Sequence, residues 1–202
     1  DISNKNLLVQ VVDIIKKYYD HIDILVNNAG ICNLETFENM TDELRDLHFD
    51  INIKGTWNVT KLLLPMLRAS KNASIINLSS VTGEMVADSG EVAYATTKAA
   101  LIGFTKALAR EEINHGIRVN AILPGYIRTP MVDNMAKQTN PNDPESVING
   151  IANAIPMKRL GTPSELGELA CFLASDSSSY ITGTSIVIDG GSTLPETVTM
   201  GV

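Results

Sequence analysis

Apolar and polar positions along this chain switch period repeatedly, and each switch marks an element. Residues 4 to 20 carry apolar side chains at helical spacing behind an Asn or Ser cap. A short apolar run, Ile24-Leu25-Val26, follows and ends in Asn27-Asn28-Ala29-Gly30. Helical spacing returns over residues 42 to 69, entered through Thr41, with Asp42 and Glu43 near the positive end of the helix. Ser74 to Leu78 reads as a second strand and residues 91 to 114 as another long helix. Arg118 to Leu123 reads as a third strand, stopped by Pro124-Gly125. Thr162-Pro163-Ser164-Glu165 puts Thr at an N-cap, Pro at the first helical position and Glu at the capping-box position, which predicts a helix to about Ala174. Ser185 to Ile188 reads as the last strand, before Asp189-Gly190-Gly191.

Strands alternating with helices predict an α/β fold with right-handed crossovers and a parallel sheet. The strands are continuous apolar runs, as burial on both faces demands. The expected architecture is a Rossmann-like, doubly wound open sheet of four strands, whose ligands bind beyond the carboxyl ends. Asn27-Asn28, Ser79-Ser80 and Pro124-Gly125 all fall at that rim. Residues 130 to 161 leave a strand end directly, contain Asn140-Pro141-Asn142-Asp143-Pro144, and are expected to form a mobile, partly helical lid. Met131, Met135 and Met157 suit either an adaptable apolar wall or ordinary core fill.

Composition narrows the class. The chain's 202 residues, 44% of them hydrophobic, suit a single globular domain. A net charge of -7 argues against a nucleic-acid partner, and no apolar run reaches the length of a membrane span. Cys32 and Cys171 lack neighbouring Cys or His, so both read as reduced thiols in a cytoplasmic protein and not as metal ligands. The start, Asp1-Ile2-Ser3, has no signal-peptide pattern and no Met, so the chain is expected to begin inside a longer protein.

The candidate chemistry centres on Tyr94-Ala95-Thr96-Thr97-Lys98. Positions i and i+4 share a helix face, so phenol and ammonium are neighbours. A close cation favours the phenolate, and a phenol tuned that way can exchange a proton near neutral pH. Taken alone the spacing is common on solvated helix faces. Ser80 ends the second strand fourteen residues earlier, with a hydroxyl able to bind the oxygen of a reacting group. Asn52 lies inside a predicted helix, where Asn is unfavourable and asks for a reason. Asn28-Ala29-Gly30 offers small residues and free backbone groups for close approach of a ligand. By itself each of these also fits a plain turn, cap or surface position.

Taken in order, Asn27-Asn28-Ala29-Gly30, Asn52, Ser80, Tyr94-x-x-x-Lys98 and Pro124-Gly125-Tyr126-Ile127-Arg128-Thr129 resemble the short-chain dehydrogenase/reductase family in its single-domain form. The resemblance runs along nearly the whole chain. Residues 80 to 88 and the tail from Val187 to Val198 carry a narrower likeness to one bacterial oxidoreductase within it. The resemblance implies NAD- or NADP-dependent hydride transfer between nicotinamide and a carbonyl or secondary alcohol. It implies Tyr94 as the acid or base, Lys98 lowering its pKa and binding the nicotinamide ribose, and Ser80 holding the substrate oxygen. Asn52 would anchor a water that links Lys98 to solvent. Asp1 and Ile2 would border the adenine, Asn28, Ala29 and Gly30 the ribose, and Pro124, Gly125, Ile127 and Thr129 the nicotinamide. The Ser80-to-Tyr94 spacing is one residue longer than in many members, which bears on the substrate side.

The family also implies a homodimer or homotetramer built on the long helices and the last strand. Family members open with strands around a glycine-rich phosphate turn, and no such turn is present here. The expectation is a fold truncated at its N-terminus, whose first strand has an open edge and which alone binds dinucleotide poorly, is inactive and aggregates. Two further readings use the same residues: a non-catalytic relative acting as a binding module, and a sugar-nucleotide epimerase. The Asn-Asn-Ala-Gly motif and short C-terminal region argue against the epimerase.

Overall fold

The computed structural model describes residues 1–194; of the tail likeness, Pro195 to Val198 lie outside the described residues. Helix α1 (Lys5–Ile15) starts where the Asn4 side chain accepts the amides of Asn6 and Leu7. It is shorter than its apolar pattern, which continues through turns to Tyr19. Strand β1 (Ile24–Asn27) leads to α2 (Asp42–Phe49), capped by Thr41, then α3 (Thr56–Arg68), β2 (Ser74–Leu78) and α4 (Val92–Glu112). Strand β3 (Arg118–Pro124) is followed by α5 (Pro130–Thr139), α6 (Pro144–Ala154), α7 (Pro163–Ala174) and β4 (Ser185–Ile188). The capping box of α7 forms as its sequence predicts, with Thr162 and Glu165 each satisfying the other's backbone.

The four strands are all parallel, in the order β1-β2-β3-β4. Helices cover both faces, which gives the Rossmann-like α/β architecture. Odd-numbered positions such as Leu25, Ile75 and Val119 meet Leu63, Met66, Leu67 and Ala109 of α3 and α4. Even-numbered positions such as Ile76, Leu78 and Ile122 meet Leu173 and its neighbours on α7. The first two crossovers therefore run over one face and the third over the other. With strands added in one direction, the third crossover has the opposite sense, against the expected uniform hand. That rule describes compact βαβ units; here α5 and α6, packed on each other, lie in the connection before α7.

β2 is buried at every position, as its sequence demands. β1 departs from that expectation: Ile24 is 48% and Val26 42% exposed. Helix α7 lies over β2 and β3 and leaves the even-numbered side of β1 uncovered. The long helix predicted over 42–69 is interrupted by a π-helical stretch at Asp50–Gly55. Such stretches act as insertions into an α-helix and gather at functional sites, and this one holds Asn52. Among the described residues, no helix is long and apolar enough to cross a membrane.

Candidate active site

The end of β2 and the first turns of α4 are tied together from both sides. Lys98 Nζ donates to the Leu78 carbonyl at 2.7 Å, and Ser79 Oγ donates to the Lys98 carbonyl at 2.7 Å. Lys98 is 5% exposed, so its ammonium is delivered through the interior to the carboxyl end of the sheet. Its Nζ lies 5.5 Å from the centre of the Tyr94 ring. The Ser80 side chain lies close enough to the Tyr94 hydroxyl to draw the phenol's pKa downward. Ser80 Oγ in turn accepts the Thr82 amide at 3.1 Å, which fixes the hydroxyl. Phenol, ammonium and serine hydroxyl therefore converge.

Asn52 is fully buried in the π-helical stretch, and its amide grips the loop after β1. Oδ1 accepts the Ile31 amide at 2.9 Å, while Nδ2 donates to the Ile31 carbonyl at 3.1 Å and to Thr97 Oγ1 at 3.0 Å. A Cβ on Gly30 would stand 3.3 Å from Asn52 Oδ1 and 3.4 Å from Lys98 Nζ. Glycine thus leaves open the space between these groups. His48 secures the loop further: its Nδ1 pairs with the Leu44 carbonyl at 2.8 Å, so Nε2 is left to accept the Asn33 amide at 3.1 Å. His48 went unremarked in the sequence, where a lone His on a helix carries no signal.

Burial sets the electrostatics. It lowers Lys98 to about 8, partly offset by Cys32. It raises the Tyr94 phenol above its ordinary value; the Ser80 side chain pulls downward, while Cys32 and Glu91 push it up. The expectation that Lys98 pulls the phenol down is not met in this arrangement. The ammonium lies over the ring and donates to a main-chain carbonyl, while desolvation dominates at the hydroxyl. Cys32, also missed as a site residue, has its thiol pushed up to about 12 by burial and Glu91, with Lys98 opposing.

The remaining predicted residues border the same rim. Asn28 and Ala29 lie between β1 and Gly30. Pro124 ends β3, and a Cβ on Gly125 would meet Asp189 Cβ at 2.8 Å, so the chains after β3 and β4 pass closely there. Ile127 is buried and paired with Gly161. Thr129 is the N-cap of α5 without a side-chain cap bond, which leaves its hydroxyl uncommitted to the helix. Asp1 is exposed and bonds to Ser3, while Ile2 packs on Gly55 of the π-helical stretch. A cleft of about 500 Å³ opens between Gly30 to Asn33 and the α5 residues Met131, Asn134 and Gln138. Met157 does not share it: that residue is 65% exposed and borders a second cleft beside Gly190.

Comparison with known proteins gives the family and the fold. A family model described as "Enoyl-(Acyl carrier protein) reductase" matches residues 1–193. Oxidoreductase UcpA of Escherichia coli (strain K12) is 63% identical over 187 residues, 93% of this chain and 71% of that protein. The 3-oxoacyl-[acyl-carrier-protein] reductase FabG of Thermotoga maritima is 39% identical over 95% of this chain and 74% of its own length. The ligand-free structure of Thermoplasma acidophilum aldohexose dehydrogenase (AldT) superimposes with a TM-score of 0.94 at 33% identity, covering 100% of this chain and 80% of that one.

Proposed function

Because this chain belongs to the short-chain dehydrogenase/reductase family, we propose that it is an NAD- or NADP-dependent oxidoreductase interconverting a carbonyl and a secondary alcohol, with Tyr94 as acid and base. The observation that carries this reading is the convergence of Tyr94, Ser80 and Lys98 at the carboxyl end of the sheet. The names of relatives support the reaction class: one is a reductase of an oxoacyl group, another a dehydrogenase of an aldohexose.

The residues fit the nicotinamide half of such a cofactor. An ammonium has three donors; Lys98 gives one to Leu78, which leaves two for the adjacent hydroxyls of a ribose. Gly30 supplies the space beside it, and Thr129 an uncommitted hydroxyl. When bound, the dinucleotide supplies the hydride carrier. Asn52 holds the Ile31 loop on the ribose side and is the expected anchor of a water leading to Lys98. Asn28, Ala29, Pro124, Gly125 and Ile127 border the cofactor, and Asp1 and Ile2 its adenine end. Ser80 holds the substrate oxygen against Tyr94, and the phenol gives that oxygen its proton during reduction and takes it back during oxidation. Residues 130–161 act as the substrate lid, with Met131 facing the cleft. The exposed Trp57 and the Phe104 ring 5.3 Å from it mark the outer α3–α4 face on which a second copy would seat. Free Cys32 and Cys171 suit a reducing, cytoplasmic setting.

Turnover of a panel of ketones and secondary alcohols by full-length protein, with NADH, NADPH and their oxidised forms, tests the reading. Tyr94→Phe is expected to lower kcat/KM by about a hundredfold to ten-thousandfold. Activity that survives the substitution would remove Tyr94 from the proposed role.

A further inference from the structure

The cleft between the loop after β1 and α5 has a polar wall that the proposed reaction does not use. At one end the cleft is lined by Gly30 and Cys32. Gly30 adjoins Lys98 Nζ, and Cys32 is close enough to bias the titration of both Tyr94 and Lys98. This end therefore opens on the candidate reacting groups. The other wall is the α5 face that carries Met131, Asn134, Lys137 and Gln138. These positions recur every three or four residues and share one side of the helix.

The opposite side of α5 explains the orientation. Val132 and Ala136 pack with Ile148 of α6 in a small apolar core, so the polar stripe is turned to the cleft. Its charge is unbalanced there. Asp133 is held by Arg128 at 3.0 Å, and Glu35 of the facing loop accepts the Thr36 amide. Among the described residues Lys137 is the one charged side chain lining the cleft, and it is in no ion pair, whereas Arg45, Arg68, Arg128 and Arg159 all are. Neutral amides flank it. Gln138 Oε1 accepts the Leu34 amide at 3.4 Å, which ties α5 to the loop and leaves the Gln138 amide nitrogen as a donor. Asn134 lies one turn before Lys137 on the same wall. The chain's net charge of -7 repels anions at long range, so an anion held here is held by the wall itself. One ammonium between neutral amides suits a singly charged carboxylate; a phosphate dianion asks for more cations.

We propose that this wall binds a substrate carboxylate, with Lys137 as its anchor, so that keto acids and the matching hydroxy acids are taken in preference to their neutral esters. The inference rests on the hydride-transfer reading above, which assigns the reacting end of the cleft.

Two readouts keep the inference apart from that reading. Both use full-length protein with levulinate and 5-oxohexanoate, each set beside its methyl ester. The first is binding of these ketones with oxidised cofactor present, a combination that cannot turn over, followed by ligand-observed NMR. The second is their reduction with reduced cofactor. The acid is expected to be favoured over its ester by about fivefold or more in at least one pair, and less at high salt. Lys137→Met, which keeps the stem of the side chain, is expected to abolish that preference. Lys137→Arg should keep it, and so should Lys17→Met, which removes the same charge outside the cleft. Equal binding of acid and ester in both pairs overturns the inference. So does a preference that survives Lys137→Met. A loss of dinucleotide affinity in that variant as large as its loss of acid binding also overturns it, because Lys137 would then serve the cofactor's phosphates. A binding preference that depends on Lys137, without turnover of any compound, supports the inference and counts against the redox reading instead.

Discussion

The α3–α4 face and the α7 face of the sheet are both well buried but are held by different bonds. On the first, Asn27 Nδ2 donates to Thr60 Oγ1 at 3.0 Å and to Asn77 Oδ1 at 2.8 Å. Asn77 Nδ2 donates to Thr105 Oγ1 at 2.8 Å. A ladder of side chains thus runs from α3 through two strands to α4. On the second face the centre is aliphatic, around Ile76, Ile122 and Leu173. Its polar contacts to α7 reach a main-chain carbonyl: Ser74 Oγ and Arg118 Nη1 each donate to the Leu173 carbonyl at 2.8 Å. Bonds between two side chains fix the rotation of a helix as well as its distance. Bonds to a carbonyl at a helix end hold the end alone. The helix that carries Tyr94 and Lys98 has the directional attachment; α7 does not.

Three measurements can sharpen or break this contrast. Leu173→Ala should cost about 3 kcal/mol of stability by denaturant titration, through the cavity it leaves. The folded enzyme should keep its turnover number. Asn77→Leu should cost less, about 2 kcal/mol, by leaving one Asn27 N–H unpaired and removing the donor to Thr105 Oγ1, which still donates to the Leu101 carbonyl. It should nevertheless lower turnover about tenfold, because small displacements of α4 misplace the reacting groups. Equal activity in the two variants would abolish the distinction. The smallest effect is in pH dependence. Folded Lys98 releases its proton near 8, whereas an unfolded lysine keeps it to about 10.5. The unfolded chain then binds more protons, so stability should rise with pH from about 8. Cys32 opposes the rise past its ordinary 9.0, and Tyr94 and Tyr126 oppose it past 10.0, since all three are raised in the fold. Between pH 8 and 9 the slope should be positive and should vanish in Lys98→Met, while Leu173→Ala leaves it intact.

Local signals in the sequence reach the elements and the candidate site residues. Periodicity, the Thr162–Glu165 cap and the Tyr94–Lys98 spacing are each read within a few residues, and each recurs in the structure. What escapes depends on distant partners. Nothing near Asn27 or Asn77 announces a bond across 50 residues. The exposure of Ile24 and Val26 depends on where α7 lies, not on β1 itself. The Tyr94–Lys98 spacing reports a neighbouring cation and says nothing of the desolvation that raises the phenol. Lys137 stands in plain view within the expected lid, but the cleft it lines exists only once the chain has folded.

The π-helical stretch at Asp50–Gly55 acts as a phase shifter. One surplus residue in a helix turns everything beyond it by about 100°. The α2 residues can therefore point His48 at the loop after β1 while α3 keeps its own apolar side on the sheet. A graft that copies residues 42–68 as one ideal rod would misdirect one half or the other, even with every amino acid preserved.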